Sequence, residues 1–115
     1  MNLIEDIKAM LVEENGDDSW EDFVDSQEVG DCQWIVDSIK QSFSQVTSIF
    51  GEVDIDEPYI DEDGDEQFIM THHWIKYKGK ILDFSKGTLQ EYIDFMDIYD
   101  PVVDNSSIYH ARRSE

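Results

Sequence analysis

The stretch FIMTHHWIKYKGKILDF, residues 68–84, decides how this chain folds. Residues 68–77 are rich in Phe, Ile, Thr, Trp and Tyr, which suit a pleated, half-buried surface, and read as a long strand. Lys78-Gly79 supplies a tight turn, and residues 80–84 form the return strand of a hairpin. A two-residue loop pairs Tyr77 with Lys80, and so Trp74 with Asp83. Cross-strand partners share a face, which puts His72, Trp74, Ile81 and Asp83 on one side, with His72 diagonal to Asp83. A three-residue loop would reverse the parity and favour His73. Lys-Gly fits the short hairpin, so His72 is the expected partner of Asp83.

Helices are expected before this hairpin. Asn2 and Glu5 have capping-box spacing, Leu3, Ile4, Ile7, Met10 and Leu11 form one apolar stripe, and Gly16 is a stop. A short helix follows Ser19, with Trp20, Phe23 and Val24 on one face, and Gly30 breaks it. Cys32, Ile35, Val36, Ile39, Phe43, Val46 and Phe50 keep the 3.6-residue period, which predicts a central core helix capped by Asp31 and ended by Gly51. Val53 and Ile55 then alternate with acids as a strand, and Pro58 with residues 61–65 predicts a turn. After the hairpin, Thr88 and Glu91 open a last helix with Leu89, Tyr92, Ile93 and Met96 inward. The fold class is therefore α+β: N-terminal helices, a central Cys-bearing helix packed on a small antiparallel sheet, and a C-terminal helix. Residues 1–103 make one domain, and residues 104–115 read as a polar, loosely ordered tail.

Composition narrows the function. Of 115 residues, 40% are apolar and 12% aromatic, enough for a core and too many for full disorder. No apolar run reaches the roughly 18 residues of a membrane helix. The first residues carry Glu5 and Asp6 and no basic leader, so neither a signal peptide nor a membrane partner is expected, and a cytoplasmic location is. A single cysteine excludes an internal disulfide and a Cys-rich zinc site, and no cofactor is expected. Against 28 Asp and Glu stand only 8 Lys and Arg, a net charge of −20, which argues against direct nucleic-acid binding.

Cys32, His72 and Asp83 are the residues able to carry chemistry. A helix N-terminus favours a thiolate, an adjacent imidazole can take the thiol proton, and a carboxylate fixes the imidazole tautomer. The segment HHWIKYKGKILDF, residues 72–84, resembles the His-to-Asp strand pair of papain-like and transglutaminase-like domains, in which one strand carries His-x-Trp and a return strand ends in Asp. Cys32 would open the helix that packs on this sheet, Trp34 is similar to the aromatic that follows the family's nucleophile, and Gln27 lies about where papain-type members place an oxyanion Gln. The resemblance covers residues 27–84. It implies a Cys32 nucleophile, a His72 (or His73) base, an Asp83 orienter and acyl transfer or amide hydrolysis. Read without the resemblance, Cys32 is a small core residue and the histidines are structural.

The acids offer a different function. Residues 1–31 hold eleven of them and residues 51–66 hold nine, whereas no Lys or Arg occurs between Lys40 and Lys76. Asp61, Asp63 and Asp65 are spaced like the start of an EF-hand loop. However, Glu66 replaces that loop's glycine and His72 its final Glu, so no metal site is expected. Asp17, Asp18, Glu21, Asp22, Asp25 and Glu28, together with Asp61, Asp63 and Asp65, could instead imitate phosphates toward a basic protein groove, and the chain resembles small acidic phage-type inhibitors that mimic DNA. The alternatives are a cysteine acyl-transferase or hydrolase, a non-catalytic acidic inhibitor, and a plain solvated face.

Overall fold

A computed structural model describes residues 2–114. It is an α+β structure of three helices and a four-stranded antiparallel sheet. Helix α1 (Leu3–Asn15) starts where Asn2 Oδ1 accepts the Ile4 N–H at 3.0 Å, and ends at Gly16 in the left-handed conformation. Helix α2 (Trp20–Asp25) is capped by Ser19 Oγ, which accepts the Asp22 N–H at 3.1 Å. Helix α3 (Asp31–Ser42) buries Cys32, Ile35, Val36 and Ile39, at the predicted 3.6-residue spacing. Gly30, rather than Asp31, is its N-cap.

The strands are β1 (Thr47–Ile60), β2 (Glu66–Tyr77), β3 (Lys80–Leu82) and β4 (Tyr109–Ser114), in the spatial order β3-β2-β1-β4. One face of the sheet meets the helices: Ile75, Leu82 and Phe84 pack with Ile7, Leu11, Phe23, Ile35, Val36 and Ile39. Ile49, Val53, Ile55, Trp74 and Tyr109 form a second core with Leu89 and Ile93 from the segment after β3. Among the described residues, no helix is long and apolar enough to cross a membrane.

Four elements differ from expectation, each where a longer-range contact overrode a local signal. The Cys-bearing helix does not run to Phe50. It stops at Ser42, and residues 47–50 join β1, opposite residues 73–76 of β2. A short apolar run fits both periods, and here sheet pairing prevailed. Pro58 lies inside β1, within the register shift between Asp54 and Tyr59, and only residues 61–65 form the turn. The expected C-terminal helix is absent. Lys86–Leu89 is a single 3-10 turn, followed by irregular backbone. Leu89 and Ile93 do point inward, Tyr92 is half-buried, and Met96 is 93% exposed. Buried Lys86 organises this segment by donating to the carbonyls of Asp97, Asp100 and Val102. Finally, residues 109–114 are not a loose tail but strand β4, paired with residues 49–53 of β1.

Gly51, expected to end a helix, sits in mid-strand for a steric reason. A Cβ there would lie 2.2 Å from the His110 carbonyl oxygen and 2.6 Å from Trp74 Cη2. Neither a strand backbone nor a buried indole gives way cheaply. Gly51→Ala is therefore expected to destabilise the fold by about 1–3 kcal/mol, read as a lower urea midpoint at unchanged slope.

Candidate functional site

The predicted hairpin register is present: Tyr77 faces Lys80, Lys76 faces Ile81 and Ile75 faces Leu82, with Lys78 and Gly79 both at positive φ. The chain leaves the sheet after Leu82, where the Asp83 N–H donates to the Pro101 carbonyl at 2.7 Å. This turns the Asp83 side chain under β2, and His72 Nε2 lies 2.9 Å from Asp83 Oδ2. Both side chains are almost completely buried.

Asp83 is richly solvated by protein. Its Oδ2 also accepts the Tyr109 hydroxyl at 2.7 Å, and Oδ1 accepts from Ser85 N–H at 3.0 Å and Ser85 O–H at 2.8 Å. A buried carboxylate needs such partners to stay ionised. Burial alone would raise the Asp83 pKa, but the His72 charge and these hydrogen bonds hold it below the usual value. Burial alone would lower the His72 pKa. The Asp83 charge and hydrogen bond, with smaller help from Cys32, outweigh it and raise it to about 10. Near neutral pH the pair is imidazolium and carboxylate. Tyr109 is pushed up by burial and by the Asp83 charge, so it remains a neutral donor.

Cys32 lies in the first turn of α3 and is 7% exposed. It lies close enough to His72 to add a small upward push to the imidazole pKa. Among the described residues His72 Nδ1 has no partner of ordinary hydrogen-bond geometry, although it is fully enclosed. With Nε2 committed to Asp83, Nδ1 is the nitrogen left for the thiol. Cys32 also lines a groove of about 420 Å³ with Val29, Gly30, Gln33, Thr71 and His73, among others. Among the described residues no side chain caps α3, and its Asp31 N–H donates to the Glu28 carbonyl at 3.0 Å.

The other candidates lie elsewhere. His73 is half-buried and tilted against Phe50, with ring centroids 4.8 Å apart. Burial and the His72 charge lower its pKa, so it differs electrically from its neighbour. Gln27 is buried, but its Nε2 donates to the Phe84 carbonyl at 3.0 Å, and it lines a separate recess with Gly87 and Thr88. Its amide ties the end of α2 to the chain leaving β3. Trp34 packs edge-on against Phe23 in the helical core. Ser85 and Tyr109 were missed from sequence. Ser85 lies two residues past Asp83, the spacing of a local Asx-type contact, which was a usable signal. Tyr109 had none, because its role depends on β4.

The acids on and around α2, Asp18, Glu21, Asp22, Asp25 and Glu28, are exposed, and Asp17 is half-buried. Asp25 accepts the Tyr99 hydroxyl at 2.8 Å and Asp17 accepts from Asn15 at 2.7 Å. In the β1–β2 turn, Asp61 Oδ1 accepts the N–H groups of Asp63 and Asp65, both at 2.9 Å. Carboxylate oxygens of Asp61, Asp63 and Asp65 come within 4.8 Å of one another. The Asp61 contacts are those of a carboxylate organising its own turn. Comparison with known protein families, curated proteins and solved structures finds no match to this chain.

Proposed function

We propose that the chain is a small cysteine acyl-transferase or hydrolase with Cys32 as nucleophile, His72 as acid and base, and Asp83 as orienter. The observation that carries this reading is the enclosed, unpartnered His72 Nδ1 beside Cys32, with Nε2 held by a fully hydrogen-bonded Asp83. A purely structural histidine would be expected to satisfy both nitrogens. The packing of α3, which carries Cys32, on β2 supports this reading.

In this cycle His72, held by Asp83, carries the proton that the Cys32 thiol gives up. The Cys32 sulfur attacks a carbonyl carbon, forming a C–S bond, while first-turn N–H groups of α3 stabilise the developing oxyanion. As the carbon–nitrogen or carbon–oxygen bond breaks, His72 gives its proton to the leaving group. Water or an acceptor amine then attacks the thioester, returning a proton to His72 and releasing the sulfur.

The test is intact-mass analysis after exposure to activated acyl esters at pH 7. A single acyl adduct on Cys32, absent from His72→Ala, is expected. Unmodified Cys32 in folded protein across aliphatic, aromatic and aminoacyl donors would sink the reading.

The exposed carboxylates of α2 support a second reading, an acidic inhibitor that occupies a basic groove. Its expected signature is a complex that weakens with salt and is competed off by DNA. Neutralising Asp17, Asp18, Glu21 and Asp22 together should weaken it at least tenfold, and unchanged affinity would count against mimicry.

A further inference from the structure

The groove beside Cys32 is bounded on one side by an uncovered strand edge. Strand β3 covers only residues 75–77 of β2 and is itself bridged on its other side by Val102, and the chain then turns away toward Pro101. In a two-residue hairpin the flanking residues exchange both backbone hydrogen bonds. Tyr77 therefore directs its N–H and C=O toward β3, and by alternation so do Ile75, His73, Thr71 and Ile69. The position of the His73 carbonyl, 3.1 Å from Ser85 Oγ on that side, agrees with this parity. Beyond His73, the backbone groups of Thr71 and Ile69 face the groove that Cys32 lines.

Natural edges of this kind are usually blunted by lysine, proline or a bulge. Residues 66–73 contain no Lys or Pro, and the β1–β2 irregularity places its extra residues on β1. The edge is instead flanked by exposed apolar side chains: Val29 is 57% exposed, Phe68 55% and Ile69 43%. At the far end of the same strand stand Glu66 and the carboxylates of Asp61, Asp63 and Asp65.

We propose that an extended polypeptide segment carrying alternating apolar and cationic side chains docks along residues 67–71 as an added strand. Backbone hydrogen bonds from Ile69 and Thr71 hold it, its apolar side chains rest on Val29 and Ile69, and its lysines or arginines reach the acidic turn. Charge decides the occupant. A second copy of this chain, itself carrying a net charge of −20, is repelled, whereas a basic segment is attracted. Docking goes beyond the proposed chemistry and does not require the thiol.

The test uses Cys32→Ser protein and a labelled peptide of seven residues alternating Val and Lys, followed by fluorescence anisotropy and amide chemical shifts. Saturable binding is expected, with shifts concentrated at Val29, Gly30, Gln33 and residues 67–73. N-methylation of alternate peptide amides should weaken binding about tenfold, and replacing Lys by Glu should abolish it. The double variant Asp63→Asn, Asp65→Asn should lose affinity several-fold for the Lys peptide but not for one alternating Val and Thr. No binding at millimolar peptide, equal affinity for all N-methylated forms, shifts confined to α2, or self-association through this edge would each overturn the proposal. Because the protein lacks the thiol, failure here leaves the acylation result intact, and failure of acylation leaves docking intact.

Discussion

Replacing Asp83 with alanine is expected to cost about 3–5 kcal/mol of folding stability. The change strips the counter-charge from a buried imidazolium and strands the Tyr109 hydroxyl and both Ser85 donors that now converge on the carboxylate. Urea unfolding at pH 6 measures it. The effect has a pH signature. The His72 pKa is raised from 6.5 to about 10, so its stabilisation is complete below about 6.5 and is lost as pH rises through about 10. The Asp83 pKa is lowered from 3.8, so its stabilisation is present above that value and lost as pH falls through the depressed one. The gap between native protein and Asp83→Ala should therefore be widest between about pH 4 and 6.5 and shrink toward pH 10. The difference between variants isolates this pair, because the surface carboxylates contribute to both curves alike. A gap that is constant from pH 5 to 10 would show that the pair is not charged.

The second large effect is on thiol reactivity. An ordinary thiol, with a pKa near 8.5, is about 1% thiolate at pH 6.5. In the proposed cycle His72 carries the proton that the Cys32 thiol gives up, help worth roughly 100-fold. Alkylation of native protein by iodoacetamide at pH 6.5 should then exceed that of His72→Ala by about 100-fold, and the two rates should follow different pH profiles. The Tyr109→Phe variant gives a finer test. It removes one donor from Asp83, raises the carboxylate pKa and so weakens its hold on His72. The acid limb of the alkylation profile should shift while the protein stays folded. A native profile that climbs like the variant's would assign Cys32 to the core alone.

Both effects depend on a pairing that local sequence made legible. The Lys78-Gly79 loop determines strand parity, and parity alone selects His72 over His73 as the residue facing Asp83. The caps at Asn2 and Ser19, the stop at Gly16 and the core spacing of Cys32, Ile35, Val36 and Ile39 were equally readable. Each of these is settled by backbone stereochemistry within a few residues.

What the tertiary structure decided lay farther apart in the chain. Residues 47–50 could satisfy either a helical or a strand period, and only the availability of β2 made them strand. Residues 109–114 look polar and loose until β1 offers them an edge, and only then does Tyr109 reach Asp83 across 26 positions. The Thr88–Glu91 capping signal was overruled by burial of Leu89 in the second core and by the carbonyls of Asp97, Asp100 and Val102 that hold Lys86. Local sequence specifies turns, caps and which face a side chain takes, because these depend on neighbouring dihedral angles. Which surfaces are finally buried together is a competition among distant segments for the same core, and it placed the last donor on Asp83 and left the β2 edge open beside Cys32.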